Sequence, residues 1–271
     1  MNDRRLFELI GESNSTTPLL VSAPHTGTEL PPGLAARFAN DAIRALPDTD
    51  WNLHRLYDFV PSLGATLLCA RYSRYVVDLN RPSDGHALYP GRAETGLVPT
   101  QTFAGEPIYR PGEEPGADEI ASRVAEYWTP YHKALREQLA ERVARFGVAL
   151  LFEAHSIASD VPRLARGRLP GFMLGDVDGT SCEPRRADAV FAALAANDAS
   201  ASRNVPFKGG FITRCFGRPH DGVHALQLEM SQRLYMREGP PFPWDESRAA
   251  PLREVLRAAL DAFIATWRPR S

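Results

Sequence analysis

Gly147 separates two hydrophobic patterns of different period. Before it, Ile120, Val124, Tyr127, Tyr131, Leu135, Leu139 and Val143 recur mostly three or four residues apart. That spacing predicts one long amphipathic helix over 118–146, kinked at Pro130. After it, Val-Ala-Leu-Leu-Phe (148–152) is a continuous apolar run, which reads as a buried strand of an α/β sheet. The run then turns polar at Glu153, His155 and Ser156. Ligands of open α/β sheets bind beyond the carboxyl ends of the strands. A histidine at that place is therefore a candidate for chemistry, as well as for simply capping a strand end.

The same logic divides the rest of the chain. Residues 18–23 form a short apolar run that ends in Pro24-His25-Thr26-Gly27, a strand followed by a tight loop. A helix is expected over 33–46. A second is expected over 51–63, opened by the carboxylates Asp48 and Asp50, with Leu53, Leu56, Tyr57 and Val60 on one face. Residues 64–70 and 75–79 read as strands, the second terminated by Pro82. The stretch 83–116 is rich in Gly and Pro, with Tyr89, Phe103 and Tyr109 spread through it. It is too long for a simple connection and reads as a flap with small hairpins. Beyond the central strand come a basic loop (161–168), a strand (172–175), a helix (184–196), a short strand (211–215) and a turn (217–222). The strand 223–229 places Ala225, Gln227 and Glu229 on one face and His224, Leu226 and Leu228 on the other. A closing helix over 251–267 carries Leu252, Val255, Leu256, Leu260 and Phe263. There is no internal repeat or linker, so one domain over 1–271 is expected.

Composition narrows the function classes. A length of 271 residues with 44% hydrophobic and 24% charged positions suits a globular enzyme with a sizeable core. A net charge of -2 supplies no field toward nucleic acid or anionic membrane, and there is no basic stripe with interleaved aromatics. No stretch approaches the length of a membrane span. The first twenty residues are polar, and Cys69, Cys182 and Cys215 form no short-spaced pair. Both features point to a reducing, cytoplasmic setting.

The polar residues at strand ends make one constellation: His25, Asp50, Asn80-Arg81, His155-Ser156 and Glu229. Two histidines and one carboxylate are a ligand set for a catalytic zinc with one position left for water. A further carboxylate, Glu229, is placed to act as general base. An arginine fork suits a substrate carboxylate. The ligands are scattered, and no His-Glu-x-x-His makes the signal local. Ser156 beside His155 raises a serine nucleophile, but Gly-x-Ser-x-Gly is absent and adjacent strand residues point to opposite faces.

Taken in order, a series of short motifs resembles the N-formylglutamate amidohydrolase (N-formylglutamate deformylase) family of histidine degradation. They are Ser22-Ala-Pro-His-Thr-Gly, Asp48-Thr-Asp-Trp, Leu56-Tyr-Asp-Phe, Val77-Asp-Leu-Asn-Arg-Pro, Leu88-Tyr-Pro-Gly, Thr95-Gly-Leu, Ala154-His-Ser-Ile, Gly179-Thr-Ser-Cys, Phe207-Lys-Gly-Gly-Phe-Ile-Thr-Arg and Gly222-Val-His-Ala-Leu-Gln-Leu-Glu-Met. Each is weak alone, and their number and order are specific. The family is similar in fold to zinc carboxypeptidases, which implies a three-layer α/β protein, a mixed β-sheet flanked by helices. The resemblance implies metal ligation by His25, Asp50 and His155, with Asp48 as the rival to Asp50, and Glu229 as base. Relatives often place a histidine where this chain has Asn52, a departure that leaves the ligand set intact.

The implied reaction is hydrolysis of N-formyl-L-glutamate to formate and L-glutamate with one divalent metal. Zinc is favoured, and manganese, iron, cobalt or nickel suit the same donors. The substrate has two carboxylates, so more than one cation is needed. Arg81, Arg214, Lys208 and Arg163 are the candidates, with Asn80 beside them, and Gly209 and Gly210 could bring backbone N–H groups to an anion. His220 lies in a turn where it could touch substrate, while His54 and His132 are expected to be helical and without a role. Two other readings stay open: an amidase for another N-acyl amino acid or short peptide, and a non-catalytic binding protein for acidic amino acids. Oligomeric state is not legible.

Overall fold

A computed structural model of the chain describes residues 5–88, 94–163, 165, 167–198 and 200–267. Strands β1 (Phe7–Ile10), β2 (Leu19–Ala23) and β3 (Thr66–Ala70) come first, with the short helices α1 (Asp41–Arg44) and α2 (Leu53–Leu56) between the last two. Then follow α3 (Ala117–Arg123), α4 (Thr129–Phe146), β4 (Ala149–Ile157), β5 (Phe172–Gly175), α5 (Pro184–Ala195), β6 (Ser202–Arg203), α6 (Phe211–Phe216), β7 (Val223–Ser231) and α7 (Glu246–Ala265).

The seven strands make one mixed sheet in the order β1-β3-β2-β4-β7-β5-β6. β3, β2, β4 and β7 run parallel, β1 pairs antiparallel with β3, β5 pairs antiparallel with β7, and β6 runs parallel to β5. Alternate strand residues feed two cores. Leu150, Phe152 and Ala154 of β4 join Leu226 and Leu228 of β7 in a core closed by α5 and α7 through Val190, Leu194, Leu256 and Leu260. Ala149, Leu151 and Ala225 join the opposite core, closed by Tyr127, Tyr131, Leu135 and Leu139. This is the expected three-layer α/β arrangement. Each large aliphatic or aromatic side chain buried in it contributes about 1.5–3 kcal/mol. Among the described residues no helix is long and apolar enough to cross a membrane.

The long helix forms as expected, but its irregularity lies just before the proline. Residues Val124–Trp128 make a π-helical turn joining α3 to α4. Pro130 has no N–H for the carbonyl four residues back, and the wider turn absorbs that loss. Gly147 ends α4 in the left-handed conformation at φ 73°.

Five expectations are corrected. Residues 75–79 are a turn, not a strand: the Ser73 hydroxyl accepts the Tyr75 N–H and Asp78 accepts the Asn80 N–H. Such local side-chain bonds compete with a ladder. Residues 211–215 lie in α6, not in a strand, because the Ile212 N–H is captured by the Asn80 side chain. The helix expected over 33–46 breaks at Asn40, which caps α1 through the Ile43 N–H. That expected over 51–63 splits into α2 and a 3-10 turn, Val60–Leu63, containing Pro61, although its apolar face is buried as anticipated. The closing helix begins earlier, at Glu246, and β1 and β6 were not anticipated. In the 83–116 flap, hydrogen bonds between Ile108 and Thr100 and between Thr102 and Glu106 make a small hairpin. Tyr89 and the rest of 89–93 lie outside the described residues.

Candidate active site

β2 lies between β3 and β4, so the chain leaves it toward one side and later returns on the other. Such a switch point opens a crevice at the carboxyl ends of the strands. On that edge the sheet face toward α4 changes from apolar to polar: Leu151 gives way to Glu153 and His155 on β4, and Ala225 to Gln227 and Glu229 on β7. His155 and Glu229 are register partners. His25 lies just past the end of β2, and its carbonyl accepts the Asp50 N–H at 3.0 Å, which ties the Asp50 loop to the same edge.

His25, Asp50 and His155 converge. Asp50 Oδ2 lies 3.1 Å from His155 Nδ1 and 3.9 Å from His25 Nδ1, and the two imidazole centroids are 4.9 Å apart. One donor atom from each residue falls within 4.8 Å of the others, a set able to hold a metal ion. All three are buried, at 3%, 2% and 3% exposure. Asp48 is buried nearby but turned elsewhere: its Oδ2 accepts the Tyr75 hydroxyl at 2.9 Å and the Phe103 N–H of the flap at 3.0 Å.

A layer of charge holds these groups from behind. His25 Nε2 is 2.7 Å from Asp78 Oδ1, and Arg74 donates to Asp78 Oδ2 at 2.6 Å. Arg74 also donates to the Asp48 carbonyl and stands 3.9 Å from Asp50 Oδ1. His155 Nε2 faces Asn80 Nδ2 at 3.1 Å and Glu153 Oε2 at 3.7 Å. The Asn80 amide is fixed, since its Oδ1 accepts the Ile212 N–H at 2.8 Å. Gly210 beside it donates its N–H to Gln227 Oε1 at 2.7 Å, and a Cβ there would fall 2.3 Å from Asn80 Nδ2. Close approach therefore explains that glycine.

The electrostatics follow from burial and these partners. Burial, then Arg74, lowers the His25 imidazole to about 4 against the pull of Asp78. Burial also opposes charge on His155, but its hydrogen bond to Asp50 and the nearby Glu153 carboxylate push it up to about 10. Burial raises the Glu229 carboxyl to about 8, with His155 opposing the rise and Asp50 adding to it. Burial works against ionisation of Asp78, yet Arg74 and His25 hold it well below the usual carboxylate range.

The cations are placed differently from one another. Arg81 Nε and Nη2 donate to the carbonyl and hydroxyl of Thr95 at 2.8 and 3.2 Å, and Nη1 to the Asn80 carbonyl at 3.1 Å. Arg214 on α6 donates to the Gly209 carbonyl at 2.9 Å. Lys208 pairs with Asp178 at 2.7 Å toward solvent. Arg163 ties its loop to the flap through Thr102 and Gln101.

Ser156 points to the other face of β4, 2.7 Å from the Tyr235 hydroxyl. His132 is buried, stacked on Trp128 at 3.6 Å and bonded to the Leu79 carbonyl, and His224 packs on the face away from Glu229, near the Glu183 N–H. His220 is exposed in a 3-10 turn, and Asn52 contacts the Phe242 carbonyl. Sequence reasoning gave Arg74, Glu153 and Gln227 no role in the site. For Glu153 the signal was present: it shares the strand face of His155, two residues away.

Residues 17–236 match the family model of N-formylglutamate amidohydrolase. The chain is 49% identical over 264 residues to an N-formylglutamate deformylase of Pseudomonas aeruginosa, covering 97% of this chain and 98% of the relative. It is 45% identical over 249 residues to an N-formylglutamate deformylase of Pseudomonas putida, covering 92% of each. Its fold is similar to the crystal structure of an N-formylglutamate amidohydrolase from Ralstonia eutropha JMP134, with a TM-score of 0.81, 28% identity, and 96% and 98% of the two chains covered. The chain belongs to the N-formylglutamate amidohydrolase family.

Proposed function

We propose that this chain is a metal-dependent amide hydrolase that converts N-formyl-L-glutamate to formate and L-glutamate. The observation that carries the reading is the convergence of His25, Asp50 and His155 directly beside Glu229 in a member of this family. The donor set fits a divalent ion. Two imidazoles and one carboxylate are in reach of each other, and the carboxylates Asp50, Glu153 and Glu229 around His155 favour positive charge at that spot. Zinc suits such donors best, with manganese, iron, cobalt or nickel chemically admissible. Asp50 is preferred to Asp48 because Asp50 converges with both imidazoles, while Asp48 Oδ2 is turned to the Tyr75 hydroxyl and the Phe103 N–H. The ion would act as a Lewis acid on the formyl carbonyl and make a water more acidic.

The remaining work falls to the chain. Glu229 accepts a proton from the attacking water and returns it to the amine nitrogen as the C–N bond breaks. Its raised carboxyl suits both directions of that transfer. Asp78 and Arg74 hold the His25 ring. Asn80, first read as a substrate contact, has its amide oxygen held by the Ile212 N–H and its amide nitrogen turned toward His155 and Gln227. Arg81, held by Thr95, and Arg214 are the leading grips for the two substrate carboxylates, with Lys208 and Arg163 behind them. In this reading the protein is cytoplasmic and performs the last step of a histidine degradation route.

Formate release measured side by side on N-formyl-L-glutamate and N-acetyl-L-glutamate tests the substrate. A strong preference for the formyl compound is expected. Equal turnover of both would replace the deformylase with a general N-acyl amino-acid amidase.

A further inference from the structure

Glu153 is fully buried in the middle of β4, and neither carboxylate oxygen has a hydrogen-bond partner. A carboxylate in that setting carries a large desolvation cost and calls for a reason. The nearby Ser22 hydroxyl is already paired with Tyr131 at 2.8 Å. Glu153 Oε2 instead looks toward His155 Nε2 at 3.7 Å, within about 1 Å of hydrogen-bonding distance.

The opposite ring nitrogen, Nδ1, is the one that faces Asp50. An imidazole that gives the Nδ1 lone pair to a cation keeps its proton on Nε2, and that proton needs an acceptor. Asn80 cannot supply one. It presents its amide nitrogen to Nε2, and its oxygen is held by the Ile212 N–H. Among the described residues Glu153 is the carboxylate within reach of Nε2.

We propose that Glu153 is a positioning residue, which accepts a hydrogen bond from His155 Nε2–H when Nδ1 holds a divalent cation and so fixes the ring's tautomer and orientation. The inference rests on the reading of His25, Asp50 and His155 as a metal site.

Zinc affinity, measured on the full chain by competition with a chromophoric chelator, tests it, together with the visible band of the cobalt-loaded protein. Glu153→Met removes the acceptor at similar size and should weaken zinc binding about 10- to 100-fold and alter the cobalt band. Glu153→Gln keeps a weaker, neutral acceptor and should lose only several-fold. Neither change should lower the thermal midpoint measured with chelator present, because each removes a buried unpaired carboxylate. A merely structural Glu153 would give the reverse, a lower midpoint with zinc affinity intact, and that result overturns the proposal. Should the Met variant not fold, unchanged zinc affinity and an unchanged cobalt band in the Gln variant overturn it equally. Wild-type protein that takes up no zinc or cobalt overturns the metal-site reading itself, and this inference with it.

Discussion

Glu229 stands beside His155 as its register partner across the β4–β7 ladder. Neighbouring parallel strands hold that pair at fixed spacing, so Glu229 would need no loop movement to act as the proposed base. Glu229→Gln keeps the shape and removes the proton acceptor. It should lower kcat about 10²- to 10⁴-fold while the purified protein keeps its metal content. Activity within a few-fold of wild type would remove Glu229 from the reaction.

Asp50 and Asp48 are separated by one residue yet do different things. Asp50→Ala should abolish tight metal binding. Asp48→Ala should leave metal content unchanged and instead cost stability, about 1–3 kcal/mol, because the Tyr75 hydroxyl and Phe103 N–H lose their acceptor. Denaturant unfolding and metal analysis on the two variants separate these roles. The opposite pattern would make Asp48 the ligand.

Arg81 is held edge-on by Thr95, leaving the guanidinium oriented rather than free to swing. Arg81→Lys keeps the charge and loses the fork. If Arg81 grips a substrate carboxylate, KM should rise about 10- to 100-fold, corresponding to about 1.5–3 kcal/mol for a charged hydrogen bond. The effect on kcat should be smaller. An unchanged KM would leave Arg81 a structural role only.

Burial lowers the His132 imidazole to about 4, against an ordinary value of 6.5. Between those values the unfolded chain binds a proton that the folded chain refuses, so stability rises with pH across that window. His132 alone should cost the fold about 3 kcal/mol on going from above pH 6.5 to below pH 4. His132→Phe keeps the stack on Trp128 and should flatten this part of the stability profile, though His224, lowered in the same way, retains some slope. Profiles that stay parallel for the two proteins would contradict the assignment.

The strands β2, β4 and β7 were legible because each is an apolar run that turns polar where it reaches the crevice. That one feature exposed His25, His155 and Glu229 together. The turn at 75–79 was not, because Tyr-Val-Val has strand propensity while the structure is decided by side-chain bonds from Ser73 and Asp78. α6 was hidden for a related reason: its first turn is anchored by Asn80, 132 residues earlier in the chain. Arg74 escaped notice because its meaning lies in Asp48, Asp50 and Asp78, which only the fold brings around it. The edge strands β1 and β6, of four and two residues, are too short for periodicity to register.

The central claim is a hydrolase whose activity depends on the ion held by His25, Asp50 and His155. The most direct measurement is formate release from N-formyl-L-glutamate by the purified protein as isolated, after complete chelation verified by metal analysis, and after addition of one equivalent of zinc. The account predicts activity that is lost on chelation and restored by the metal, with no restoration in the Asp50→Ala variant. Full activity in protein verified to be free of metal would contradict it.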